Sequence, residues 1–321
     1  MPEWIVDEPR KLTFGAPLKT VRVRTVNGTV NVVGTDETSA RLEISDINGP
    51  ALTVTHEDGT LSVVHDDHKG PGLFRLLDLK SHRRSAAVSL AVPAGTRVEV
   101  GAVGAAVMVS GIEGPAQVKT ITGATTLVGL SGPVRADSVS GDVEMQGVSG
   151  DLTFKSVSGD LTVMEGTGPA VRAESVSGSM IVDLDPADRP ADVTLLNVSG
   201  EIAIRIPHPA DAEVEANTAS GSVSNAFEDL RVGGQWGAKK ITGRLGEGRG
   251  KLRATTVSGS IALLRRPPTE EDPYEATPPD GTPTDESPTA KSPTAEAPTD
   301  RPPSDTPAAE NTSAPTDKKV L

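Results

Sequence analysis

Val139-Ser140-Gly141-Asp142-Val143, Val148-Ser149-Gly150-Asp151-Leu152 and Val157-Ser158-Gly159-Asp160-Leu161 follow one another in this chain with the same five-residue figure. Val176-Ser177-Gly178, Val198-Ser199-Gly200, Ala219-Ser220-Gly221 and Val257-Ser258-Gly259 repeat its core, and Ile121-Thr122-Gly123 and Ile241-Thr242-Gly243 vary it. Glycine recurs at 114, 123, 132, 141, 150, 159 and 168, every nine residues. A fixed short period is the signature of stacked repeat units that bury a shared core.

The beat divides into two alternating series. One runs Gly104, Gly123, Gly141, Gly159, Gly178, Gly200, Gly221, Gly243, Gly259, and the other carries proline or alanine after Gly114, Gly132, Gly150 and Gly168, continuing at Pro190-Ala191 and Pro209-Ala210. Apolar residues stand two before each glycine and two and four after it, the period of a strand with one buried face. Glycine suits a corner because it tolerates φ > 0 and close chain approach, and proline, lacking an N–H, suits a turn better than a ladder position. The expected fold is all-β, a solenoid with two strands per coil of about 18–22 residues. Each glycine series then forms one column of corners.

Outward from this core, residues 101–266 read as the regular solenoid. Residues 1–100 read as its start or cap, with strands suggested by Val21-Arg22-Val23-Arg24 and Val26-Asn27-Gly28-Thr29-Val30. Residues 267–321 read as a disordered acidic tail. They hold twelve acidic and four basic residues and 13 of the 26 prolines, in a chain of net charge −13.

That balance excludes a basic nucleic-acid-binding face. With no cysteine, disulfides and thiolate zinc sites are excluded as well. Met1-Pro2-Glu3-Trp4-Ile5-Val6-Asp7-Glu8 has acids where an export signal has basic residues, so the expected location is the cytoplasm.

The tandem Val-Ser-Gly-Asp-Val figure resembles a bacterial family of unknown function that carries an adhesin label, over residues 14–265. The block from Ser220 to Asn225 and on through Gly234-Gln235-Trp236-Gly237 is similar to its actinobacterial branch. The resemblance implies a right-handed β-solenoid without known catalytic residues, with some relatives linked to cell-envelope stress.

Four places invite chemistry. Asp142, Asp151 and Asp160 could pair across coils to hold Ca²⁺, but the nonapeptide Ca²⁺ solenoid has a far richer Gly-Gly-x-Gly-x-Asp pattern, so they read as solvated turn residues. His65-Asp66-Asp67-His68 offers two imidazoles without a third distant ligand and reads as a polar hairpin end. Residues 69–84 break the β pattern. Phe74, Leu76 and Leu77 followed by Arg83 and Arg84 fit a short helix that caps a strand edge, or one that touches a partner or an anionic membrane surface. In the tail Thr284, Thr289, Thr294 and Thr299 follow prolines at a five-residue interval. They are candidate phosphoacceptors, or simply parts of a solvated linker. No catalytic, cofactor-binding or metal residues are implied, and no Gly-x-Ser-x-Gly elbow or phosphate-binding loop occurs.

The functional expectation is a non-catalytic cytoplasmic interaction scaffold with an unidentified protein partner. Rival readings are a self-associating, polymer-forming element built like the bactofilins, an exported adhesin, and an enzyme on a β-helix, which needs converging carboxylates.

Overall fold

The computed structural model describes residues 2–15, 17–65, 84–187, 189–235 and 237–266. All of them belong to a single compact unit that ends at Thr269. The candidate contacts Phe74, Leu76, Leu77 and Arg83 and the threonines 284, 289, 294 and 299 lie outside the described residues.

Among the described residues the strands form one fourteen-stranded and one twelve-stranded sheet. Through the repeats the chain alternates between them. Ala116–Thr122, Val134–Ser140, Leu152–Ser158, Ala170–Ser177 and Asp192–Ser199 lie in the larger sheet. The intervening Thr125–Val128, Val143–Gln146, Leu161–Gly166, Met180–Leu184 and Ile202–Ile206 lie in the smaller. A strand and its successor in the other sheet form one rung. Neighbouring rungs pair in parallel and in exact homology, so Ala136 faces Phe154 and Phe154 faces Ala173.

The two sheets enclose one continuous aliphatic core running from Val6 to Leu263. Alternating Val, Leu and Ile fill it, and Phe154 is its largest fully buried side chain.

At the Ser-Gly corners the stacking leaves no room for a side chain. A Cβ on Gly178 would stand 2.2 Å from the carbonyl oxygen of Gly159, and Gly178 has φ +121°. Gly104, Gly123, Gly141, Gly159, Gly200, Gly221 and Gly259 stand at the same kind of corner. Gly150 stacks in the second column, on Gly132.

The order of that stack corrects the reading of Gly221, Gly243 and Gly259 as successive corners. Gly259 sits on Gly200, and Gly221 sits on Gly259. The last rung, Gly250–Ser258 and Ile261–Arg265, is therefore inserted between Asp192–Ser199 and Ala212–Ser220, pairing in parallel with both. Gly243 is no corner. It lies inside the strand Ala238–Leu245, which runs antiparallel to Ala212–Ser220 and to Leu230–Gln235.

A second correction concerns the apolar residue two before the glycine. Val148 is buried, yet Val139, in the same Val-Ser-Gly figure, is 46% exposed. Gly147, just before Val148, adopts a left-handed conformation at φ +62°. It resets the pleat, so Val148 turns inward, whereas Val139 continues an unbroken strand in which Ala136 and Ser138 already face the core.

The N-terminal third is also out of sequence order. Thr20–Thr25 and Asn27–Thr35 pair directly with Arg97–Ala102 and Ala106–Ser110. Residues 40–65 and 85–93 stack beyond them, ending in antiparallel pairs with Glu3–Val6 and Arg10–Phe14. Trp4 packs edge-on against Phe14 there, at 5.5 Å between ring centres. At the other end Phe227 is buried, with Arg265 over its ring at 5.4 Å.

Candidate interaction surface

Two columns generated by the Ser-Gly corner, one inside and one outside, are the most distinctive chemistry of the molecule. Three residues before Gly28 and before each corner glycine except Gly104, a polar side chain points into the core: Thr25, Thr120, Ser138, Ser156, Ser175, Asn197, Thr256 and Thr218, all buried. Burying a hydroxyl or amide is tolerable only with a partner, and the corner carbonyls supply several. Ser138 Oγ donates to Gly141 O at 3.1 Å, Asn197 Nδ2 to Gly178 O at 2.7 Å and Thr218 Oγ1 to Gly259 O at 2.9 Å. The sequence reading missed this ladder. Its signal was present, since alternate beats read Ser-Val-Ser-Gly while the others place Gly111, Gly129, Gly147 or Glu165 at that position.

One residue further on, the side chains point outward. Val103, Ile121, Val139, Val157, Val176, Val198 and Val257 form an aliphatic stripe on adjacent rungs of the larger sheet, each 38–53% exposed. Six steps of about 4.8 Å make it about 29 Å long.

The next outward column carries alternating charge, Lys119, Asp137, Lys155 and Glu174, in register across four rungs. Lys155 Nζ lies 2.9 Å from Glu174 Oε2, and Arg135 pairs with Asp137 at 2.8 Å. The Lys155 hydrogen bond, joined by one from Arg172, holds the Glu174 carboxyl below its usual range. Lys240 and then Asn217 do the same for Glu215, and the Arg249 backbone N–H, ahead of its guanidinium, for Asp211.

The turn aspartates serve the backbone. Oδ1 of Asp142 accepts the N–H of Asp160 at 3.0 Å, and Oδ1 of Asp160 accepts the N–H of Ser179 at 2.7 Å. Asp151 stands on the other column of corners. Among the described residues no cluster of three potential metal ligands occurs. Of the His65–His68 figure only His65 is described; its Nε2 lies 2.9 Å from Pro50 O. Arg84 accepts a hydrogen bond from Asn27 Nδ2 on its carbonyl at 3.0 Å.

At the proline corners a cavity of about 180 Å³ opens between Leu184, Pro186, Ile206, Pro207, Leu252 and Arg249. It is smaller than the roughly 300 Å³ at which small-molecule sites begin.

Stacked parallel strands in two sheets, closed by antiparallel strands and presenting regular flanks, define a solenoid-like all-β protein. The chain belongs to the Toastrack DUF4097 family, whose model matches residues 22–264. Similar solved structures include a candidate adhesin from Bacteroides fragilis, 15% identical, covering 80% of this chain and 98% of its own at a TM-score of 0.42. Another is a candidate cell adhesion protein from Clostridium sporogenes, 11% identical, covering 81% of this chain and 100% of its own at a TM-score of 0.29. No curated protein matches the chain.

Proposed function

We propose that this protein is a non-catalytic interaction scaffold acting in the cytoplasm, in envelope stress or signalling, and that the outer face of its larger sheet is where partners dock. The observation that carries this reading is the aliphatic stripe from Val103 to Val257. Seven β-branched side chains half in water contribute little to the fold, and their removal from water favours association at about 25 cal/mol per Å². Parallel pairing holds them at fixed spacing, so the surface is organised before a partner arrives, which lowers the ordering cost of binding. The body is read as a right-handed coil with two strands per turn; the alternation of strands between the sheets supports the second part of that reading. The block around Gly234–Gly237 is read as that of the actinobacterial branch.

The test is a photo-crosslinking side chain at Val176 in living cells, with Ala203 on the smaller sheet as control. A discrete adduct from Val176 that is abolished by Val139→Glu with Val157→Glu is expected. Equal labelling from both faces, or none from Val176, removes the reading.

The filament alternative needs open ends that stack head to tail. Glu3–Val6 and Arg10–Phe14 at one end, and Leu230–Gln235 in the larger sheet at the other, instead place antiparallel strands there; among the described residues only the smaller sheet ends in a parallel strand, the short Val223–Asn225. An exported adhesin predicts intact protein outside the cell, which fractionation decides.

A further inference from the structure

We propose that the occupant of the stripe is a second copy of this chain, related by a two-fold axis that runs along the strand direction between Val134–Ser140 and Leu152–Ser158. The inference rests on the reading of this face as a docking surface and names its partner.

The order of charges beside the stripe points to this occupant. Rung by rung the flanking column reads Lys119, Asp137, Lys155, Glu174. Rotation about an axis along the strands keeps each column facing itself and reverses the order of the rungs. Lys119 then faces the partner's Glu174, and Asp137 faces the partner's Lys155. Each of these four charges meets its opposite, the self-complementarity that a two-fold interface requires. The stripe obeys the same operation: Ile121 meets the partner's Val176, and Val139 meets the partner's Val157.

The neighbouring outward column agrees. It reads Glu99, Gln117, Arg135, Thr153, Arg172, Thr194, so the same axis sets Arg135 against the partner's Thr153, Gln117 against the partner's Arg172 and Glu99 against the partner's Thr194. Over these six rungs no like charges are opposed; the next pair outward, Arg22 against the partner's Arg253, lies beyond them, and each arginine is already paired in its own chain, with Glu99 and Glu215. The in-chain pairs Lys155–Glu174 and Arg135–Asp137 would be extended into a network across the axis rather than broken.

Size is consistent with this. Three outward columns, about 7 Å apart along a strand, over the five steps of about 4.8 Å that the axis pairs, span roughly 500 Å². That is of the order of the ~800 Å² that each partner buries in a standard interface. Two sheets packing through β-branched side chains is also a normal mode of sheet association.

The chain contains no cysteine, which makes the axis directly testable on the full-length protein. Lys119 and Glu174 stand three rungs apart, about 14 Å within one chain, beyond disulfide reach. Lys119→Cys protein mixed with Glu174→Cys protein should form a covalent dimer under mild oxidation, while either variant alone should form far less. Light scattering on the unmodified full chain should give twice the 33.1 kDa of one copy, falling to one copy in Val139→Glu with Val157→Glu. Unchanged thermal unfolding of that exposed double variant shows that the fold is intact. A wild-type monomer at all concentrations, or a mixture that cross-links no better than the separate variants, overturns the proposal. If Val176 labels other proteins in cells while these dimer tests fail, the docking face stands and its occupant is a different protein. If it labels nothing, the docking reading itself fails.

Discussion

Oδ1 of Asp142 accepts the backbone N–H of Asp160 at 3.0 Å, so Asp142 caps the strand entry of the rung stacked upon it. The relation repeats once, from Asp160 to Ser179. Asp160→Ala should lower stability by about 1 kcal/mol, the usual worth of an exposed hydrogen bond to a charged acceptor. Asp160→Asn retains an acceptor oxygen and should cost less than half of that. Urea denaturation midpoints at constant m-value check both.

The buried polar ladder predicts opposite signs for two similar changes. Ser138 Oγ is bonded to Thr120 and to Gly141 O, so Ser138→Ala should cost about 1 kcal/mol. Ser156 Oγ is buried without a partner among the described residues, so Ser156→Ala should be neutral or stabilising by up to about 1 kcal/mol. Differential scanning calorimetry of the pair distinguishes them.

Two glycines with positive φ should respond unequally to alanine. Gly178→Ala meets backbone at 2.2 Å and should cost more than about 3 kcal/mol, since both strain and a clash must be relieved. Gly147→Ala meets nothing closer than 3.9 Å, and the next rung holds Glu165 in the same conformation at φ +56°. Its cost should be about 1 kcal/mol, that of a left-handed L-residue.

Chain connectivity makes the last strands indispensable. In a sequentially stacked repeat protein each unit touches only its neighbours, and removal of the last leaves the remainder folded. Here Gly250–Ser258 and Ile261–Arg265 lie between two earlier rungs. A chain ending at residue 249 should lose its cooperative unfolding transition for residues 192–245, as followed by amide hydrogen exchange.

Acid should weaken the outer face. The folded-state values of Glu174, Glu215 and Asp211 lie below their ordinary ones, 4.5 for the glutamates and 3.8 for the aspartate. Each group therefore adds stability above its ordinary value, and that contribution disappears as pH falls through the lowered one. Unfolding midpoints should be flat above about pH 5 and fall below it. Glu174→Gln should fall less steeply over the same range.

The nine-residue glycine beat determined the all-β class, the two kinds of corner and the strands between them, because a stacked corner leaves no space for a side chain. Alternation within each beat likewise placed Phe154, Leu161 and Val163 inside. Only the tertiary structure decided which valine of the repeated Val-Ser-Gly faces water, because the answer turns on the left-handed Gly147, three residues before its own corner, rather than on the motif itself. It alone decided the order of the rungs. Ser199, Ser258 and Ser220 present the same parallel edge to a neighbour, so local pattern cannot tell which copy stacks on which. The hairpin closed by Ala238–Leu245 settles the matter by occupying the outer edge of Ala212–Ser220, which leaves the last rung the inner one. The exposed aliphatic stripe arises from that same stacking. Seven residues spread from Val103 to Val257 become one surface only when parallel register brings them within a strand's width of each other.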